Sequence, residues 1–191
     1  MRSGLFGGVV LASVLAVTDA SAQQMSEEMH EYFDGEVAGA WGFASAGVVS
    51  LAGAGLGAFA AKDDIYHGAA YPMAVLGLVQ LGAGLVLGLR THGQVVERDR
   101  LLHEGDGRAF WTLEAPRMRR VQLQFAALQV VELGLALAGA GLAAYGSRAG
   151  ERTVSGIGLG LTLEAGAMLV MDHAASYRAE RYVDAIQRLA R

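Results

Sequence analysis

Glu132 and Glu164 are the residues most able to do chemistry, because each interrupts an otherwise uncharged apolar stretch, 121–145 or 153–171. A carboxyl group in the middle of a membrane helix costs roughly 3 kcal/mol on insertion scales, so it turns inward and finds a partner or a job. Gln80 holds the corresponding place in a third stretch, 68–89. Gln122, Gln129 and Glu132 follow one another at spacings of seven and three, which puts them on one helical face. Ser155 and Thr162, seven apart, offer a second polar stripe. Two kinds of chemistry suit this set. It could form a proton or cation path, or a polar substrate pocket, built on the two carboxylates. Alternatively it could be polar glue, with protonated glutamates bonded to Gln80 or to backbone carbonyls. In both cases Glu132 should face the bundle and meet Gln80 or Glu164.

His92 and His173 form a second candidate pair, one after each of two apolar stretches. Histidines on neighbouring helices can ligate haem or a metal. These two stand at the rim, where a helix C-terminus favours a histidine without any ligand. No cofactor is therefore expected, and the purified protein should show no haem absorption band. His30, His67 and His103 read as solvated loop residues. Cysteine is absent, which rules out thiolate metal sites and disulfides. No phosphate loop, zinc motif or nucleophile elbow is present, so an enzyme is the least favoured class. A formal charge of −4 excludes a strongly basic nucleic-acid binder.

The elements that must position these residues are four apolar stretches, 37–61, 68–89, 121–145 and 153–171. Each reaches the roughly 18 residues that helical rise requires to cross hydrocarbon. Only helices or closed barrels satisfy their backbone in lipid, so the expectation is an all-α membrane protein with four transmembrane helices. Its apolar mass is Ala, Gly, Leu and Val, with 27 glycines and few aromatics. Small residues let helices approach closely in lipid. Gly53 and Gly57, Gly84 and Gly88, and Gly156 and Gly160 are the packing faces that this predicts. Pro72 and Pro116 read as residues at or before helix starts.

The chain repeats itself. Ala52-Gly-Ala-Gly-Leu56 recurs as 138–142, Leu81-x-Ala-Gly84-x-x-Leu87 as 163–169, and His92 with Asp99-Arg100 as His173 with Glu180-Arg181. The offset drifts from 86 to 81, as small deletions would make it. This predicts two tandem helical hairpins, a parallel internal repeat, each followed by a charged amphipathic helical extension. Residues 37–105 form the first copy and 121–191 the second, with 106–120 as connector and a turn at Asp106-Gly107. The charged extensions either lie at headgroup level, pair with a partner or are solvated. Phe110 and Trp111 read as an interfacial aromatic anchor.

Residues 1–22 have a positive start, an apolar run and Ala20-Ser21-Ala22, the pattern of a signal peptide cleaved before Gln23. Residues 23–36 are an acidic N-terminal segment. A signal peptide would place residues 90–120 and the C-terminus outside a cell (inner) membrane. Those segments carry eleven arginines, which the positive-inside rule would place inside. The functional expectation is a small structural or accessory subunit of a membrane complex. Its partners would be the lipid bilayer and either copies of itself or other membrane subunits. The alternative is a small transporter or channel subunit using Glu132 and Glu164.

Overall fold

The computed structural model describes the backbone of residues 5–103 and 107–189, and the side chains of 23–91, 93–102 and 110–188. Four helices account for nearly all of it: α1 (Leu5–Phe59), α2 (Asp64–His103), α3 (Gly107–Ala149) and α4 (Arg152–Leu189). All four are long and apolar enough to cross a membrane. α2, the second shortest, has 40 residues and so runs about 60 Å, twice the hydrocarbon thickness. Every helix therefore has an apolar part and a part left over.

In the apolar half, side-chain size is sorted against the habit of a soluble protein. Ala40, Ala44, Ala54, Ala70 and Ala165 are buried, while Val49, Leu56, Leu78, Leu137 and Val170 are exposed. The small residues let backbones touch, and the large ones face outward, as lipid permits. α1 packs chiefly on α2 and α3 chiefly on α4; α2 against α4 joins the two pairs. A Cβ on Gly68 would strike the Thr153 carbonyl, and one on Gly156 would strike the Ile65 carbonyl. The α2–α4 seam is thus held at backbone contact by these two glycines. Gly158 meets Ala143 and Gly139 across the α3–α4 interface, and Gly47 meets Gly77 across α1–α2.

Of the glycines read from sequence, Gly84 lies against Ala40 and Ala44, Gly57 against the Tyr66 carbonyl, and Gly160 against Ala69 and Pro72. Gly53 faces only the flexible end of Met73. Gly88 has its nearest neighbours, Ala40 and Trp41, at ordinary contact distance. Matched glycines of the two copies do not share partners. Gly84 and Gly166 correspond in the two copies, but Gly84 packs on Ala40 and Ala44, whereas Gly166 has nothing within 4 Å.

The two short connections lie at one end of the molecule. α3 ends at Gly150, whose φ is +75°, with the Glu151 N–H donating to the Gly146 carbonyl at 2.8 Å. This is a glycine-terminated helix end. Gly150→Ala should cost about 1 kcal/mol, read as a lower thermal midpoint with the fold unchanged, because only glycine adopts that φ freely. Asp63 caps α2 by accepting from the Ile65 N–H at 3.0 Å, and its carboxylate also pairs with Arg152 at the start of α4. Pro72 and Pro116 are both inside helices, contrary to their reading as helix starts. Each removes one N–H from its helix's ladder.

At the other end, the leftover parts of all four helices form a bundle with a dense core. Met25, Met29, Tyr32 and Phe33 from α1 meet Leu102 from α2, Phe110 and Met118 from α3, and Tyr182, Ala185 and Ile186 from α4. Tyr32 stacks on Tyr182 with centroids 4.7 Å apart. The charged extensions of α2 and α4 thus pack on one another and on α1 and α3. Phe110 is a core residue at 1% exposure and not an interfacial anchor, with Trp111 edge-on beside it. Residues 107–120, read as a connector, are the first turns of α3, and residues 23–36 belong to α1. α1 also runs unbroken through the expected cleavage point before Gln23. The side chains of 1–22 and the turn residue Asp106 lie outside the described residues.

The core of this bundle encloses charge. Glu114 (2% exposed) accepts from Arg98 Nε at 2.8 Å and from Arg117 Nη2 at 2.5 Å. Both guanidinium groups lie over the Phe33 ring, at 5.4 and 5.2 Å from its centroid. Burial, and after it the Glu114 charge, pushes the Tyr182 phenol far above its ordinary pKa, so it stays protonated. At the surface of the bundle, Arg181 pairs with Glu31 and Arg188 with Glu28, tying α4 to α1. Such exposed pairs contribute little, at most about 1 kcal/mol each.

Candidate functional site: carboxyl groups in the apolar half

α4 carries two acids into the apolar half, and each meets a different neighbour. Glu164 is 2% exposed and accepts from Gln80 Nε2 of α2 at 3.0 Å. A glutamine is one of the few uncharged side chains that can donate to a carboxyl and still accept in return. This pair lies on the α2–α4 interface, where Gly68 and Gly156 have already brought the backbones together. The Gln80 Oε1 atom is buried with no hydrogen-bond partner among the described residues. A protonated Glu164 could turn its O–H to that oxygen, so the pair has room for one proton.

Glu132 on α3 is also 2% exposed, so it faces the bundle as expected. Its neighbour is neither Gln80 nor Glu164. Asp172 of α4, 7% exposed, is the acid that interacts with it. The expected contact fails because the α3–α4 seam, set by Gly139 and Gly158, aligns Glu132 with a later turn of α4. Both Glu132 carboxyl oxygens are buried without a hydrogen-bond partner among the described residues. Gln129, one turn earlier on α3, leaves its Nε2 buried and unpaired too. Gln122 is half-buried at the start of the apolar stretch. The stripe on α3 therefore exists, but only Glu132 is fully enclosed.

Asp172 had no prominence in the sequence because it directly follows the apolar run that ends at Met171 and reads as its polar boundary. The second stripe is divided between structural duties. Thr162 Oγ1 donates to the Gly158 carbonyl at 2.8 Å, and Ser155 Oγ lies 3.0 Å from Ser147 Oγ. His173 is exposed, and the His92 side chain lies outside the described residues. His30 and His67 are helical and not in loops: His30 faces Asp99 at 3.6 Å, and His67 Nε2 donates to the Ala61 carbonyl at 2.9 Å. Among the described residues, no three His, Asp or Glu side chains are grouped to hold a metal ion.

Chemically, the arrangement offers two buried acid centres with different surroundings. One is a carboxyl–amide pair with its partner in place. The other is a carboxyl–carboxyl pair with open acceptors and, among the described residues, no ion-pair partner. A buried carboxylate without a counter-charge is strongly unfavourable, so the second centre must hold a proton or a cation. No protein-family model, curated protein or solved structure matches the chain.

Proposed function

We propose that the protein is a multi-pass subunit of the cell (inner) membrane whose Glu132–Asp172 pair takes up and releases a proton. The observation that carries this reading is the pair itself: two enclosed acids on adjacent helices, with both Glu132 oxygens lacking a donor. Proton exchange leaves α3 and α4 in contact and changes only the charge between them. Gln80 and Glu164 would form the fixed reference against which that change acts. Infrared spectroscopy of the full chain in lipid should show a protonated-carboxyl band that responds to pH and disappears in Glu132→Gln. An amide cannot titrate in that range, while its shape and hydrogen-bonding capacity keep the helix pair together. A carboxyl band that ignores pH would end the proton reading.

A specific observation favours a second reading, that of a structural accessory subunit. α3 is the least covered helix, and Gly134 and Gly141, one heptad apart, have nothing within 4 Å. Small residues at this spacing accept another membrane helix. Under this reading Gly134→Leu with Gly141→Leu leaves the four-helix fold intact but lowers the native particle mass. Glu132→Gln would then leave assembly unchanged.

The pairs α1–α2 and α3–α4 are read as tandem hairpins, with the polar-end bundle on the outer side after signal-peptide export. Acids accompany many arginines of that bundle, among them Glu114, Glu97, Glu31 and Glu28. A topology reporter fused after Arg191 should be active outside the cell; activity only in the cytoplasm would reverse the orientation.

A further inference from the structure

A cavity of about 620 Å³ opens between α2 and α3 where the polar-end bundle meets the apolar half. α2 and α3 pack little on each other, so this gap is a property of the fold and not of one side chain. Four arginines line it: Arg90 and Arg98 from α2, Arg117 and Arg120 from α3. Against them stand two acids. Glu114 is spent between Arg98 and Arg117, and Glu36 lies on the cavity wall. Arg90 and Arg120 are exposed and have no ion-pair partner among the described residues.

Position matters as much as charge. Arg90 directly follows the apolar stretch 68–89, and Arg120 directly precedes 121–145. In a bilayer both guanidinium groups stand at the level of the headgroup phosphates. Leu87 and Val121 continue the same wall toward the apolar half. A ligand that fits must carry a negative charge above and hydrocarbon below. One more observation narrows it. Glu36 takes the Tyr32 O–H on Oε1, but its Oε2 is buried with no donor among the described residues. An anionic phosphate that also carried a hydroxyl group could supply one.

We propose that this groove binds the headgroup of an anionic phospholipid of the phosphatidylglycerol type. Its phosphate pairs with Arg90 and Arg120, its headgroup hydroxyl donates to Glu36, and its acyl chains run down the α2–α3 gap. The proposal rests on the membrane placement above and is independent of the Glu132–Asp172 reading. Bidentate guanidinium–phosphate pairing is the strong form of this contact.

The test uses the full chain in detergent micelles doped with phosphatidylglycerol or phosphatidylcholine, with bound lipid counted by native mass spectrometry. The expected result is retention of phosphatidylglycerol over phosphatidylcholine. Arg90→Gln with Arg120→Gln should weaken that retention about thirtyfold, which is about 2 kcal/mol, one for each arginine. Neither residue belongs to the Glu114 network, so the fold should survive, as helical circular dichroism would verify. Arg148→Gln, the same charge change at the far end of α3, should have no effect. Equal retention of both lipids, or an unchanged double variant, would overturn the site. So would displacement of the lipid by millimolar inorganic phosphate, which would make the ligand a free anion. If the protein is removed from membranes by alkaline carbonate, the membrane placement itself fails, and the lipid site fails with it.

Discussion

Replacing Glu114 by alanine should destabilise the polar-end bundle by about 3–5 kcal/mol, the usual cost of breaking a buried pair by removing one partner. Arg98 and Arg117 would then face each other across the position that neutralised them, each only about a fifth exposed. Hydrogen exchange should show the effect as faster opening of residues 25–33 and 179–186, with the apolar half little changed. The interpretation has an internal control. Replacing all three charged residues by apolar ones of similar size removes the charges together with their partner. That triple variant should recover most of the loss, because a buried ion network is often no more stable than a well-packed apolar one. A triple variant as unstable as Glu114→Ala would show that the charges do more than offset one another.

The second large effect belongs to the α2–α4 seam. Gly156→Leu should force α4 away from α2, because the new Cβ would occupy the place of the Ile65 carbonyl, a backbone atom that cannot turn aside. Overpacking against side chains costs about 1–3 kcal/mol. Against backbone the cost should reach the top of that range or exceed it. The Gln80–Glu164 hydrogen bond crosses the same interface, so its loss adds to the effect. Hydrogen exchange of the full chain would report the separation: residues 65–72 and 153–160 should open faster once Gly156 is leucine than in the parent chain. Gly166→Leu, at a glycine with open space around it, should behave like the parent in the same assay.

The four long helices could be read from the sequence because lipid imposes a length and an absence of charge, and both are visible in one dimension. Burial of Glu132 and Glu164 was legible for the same reason. Their partners were not. Which turn of α4 faces Glu132 depends on how far one helix slides along another, and that is set by glycines that touch backbone, such as Gly139 and Gly158. Ala/Gly-rich sequence offers many such seats and does not say which are taken. The polar-end core was missed for a different reason. Met25, Met29 and Phe33 recur every four residues, as do Phe110, Glu114 and Met118. Both are regular helical stripes, but they lie among charges, and the charges dominated the reading. Glu114 fills a core position of its stripe, which no apolar pattern would select.

The polar-end bundle draws its core from residues as far apart as Met25 and Ile186. That spacing fixes a timetable for synthesis. The first pair of helices can insert and close its glycine contacts while the rest of the chain is still on the ribosome. The bundle cannot close, because Tyr182, Ala185 and Ile186 emerge only after all four apolar stretches. Until then Met25, Met29, Phe33 and Phe110 have no cover on the α4 side. A chain that stops short of residue 179 therefore carries the whole membrane-sized apolar half but displays a permanent aromatic and thioether surface. Such a surface is what chaperones and proteases recognise. Emergence of residues 179–186, and not insertion of the first helices, is the step that hides it from them.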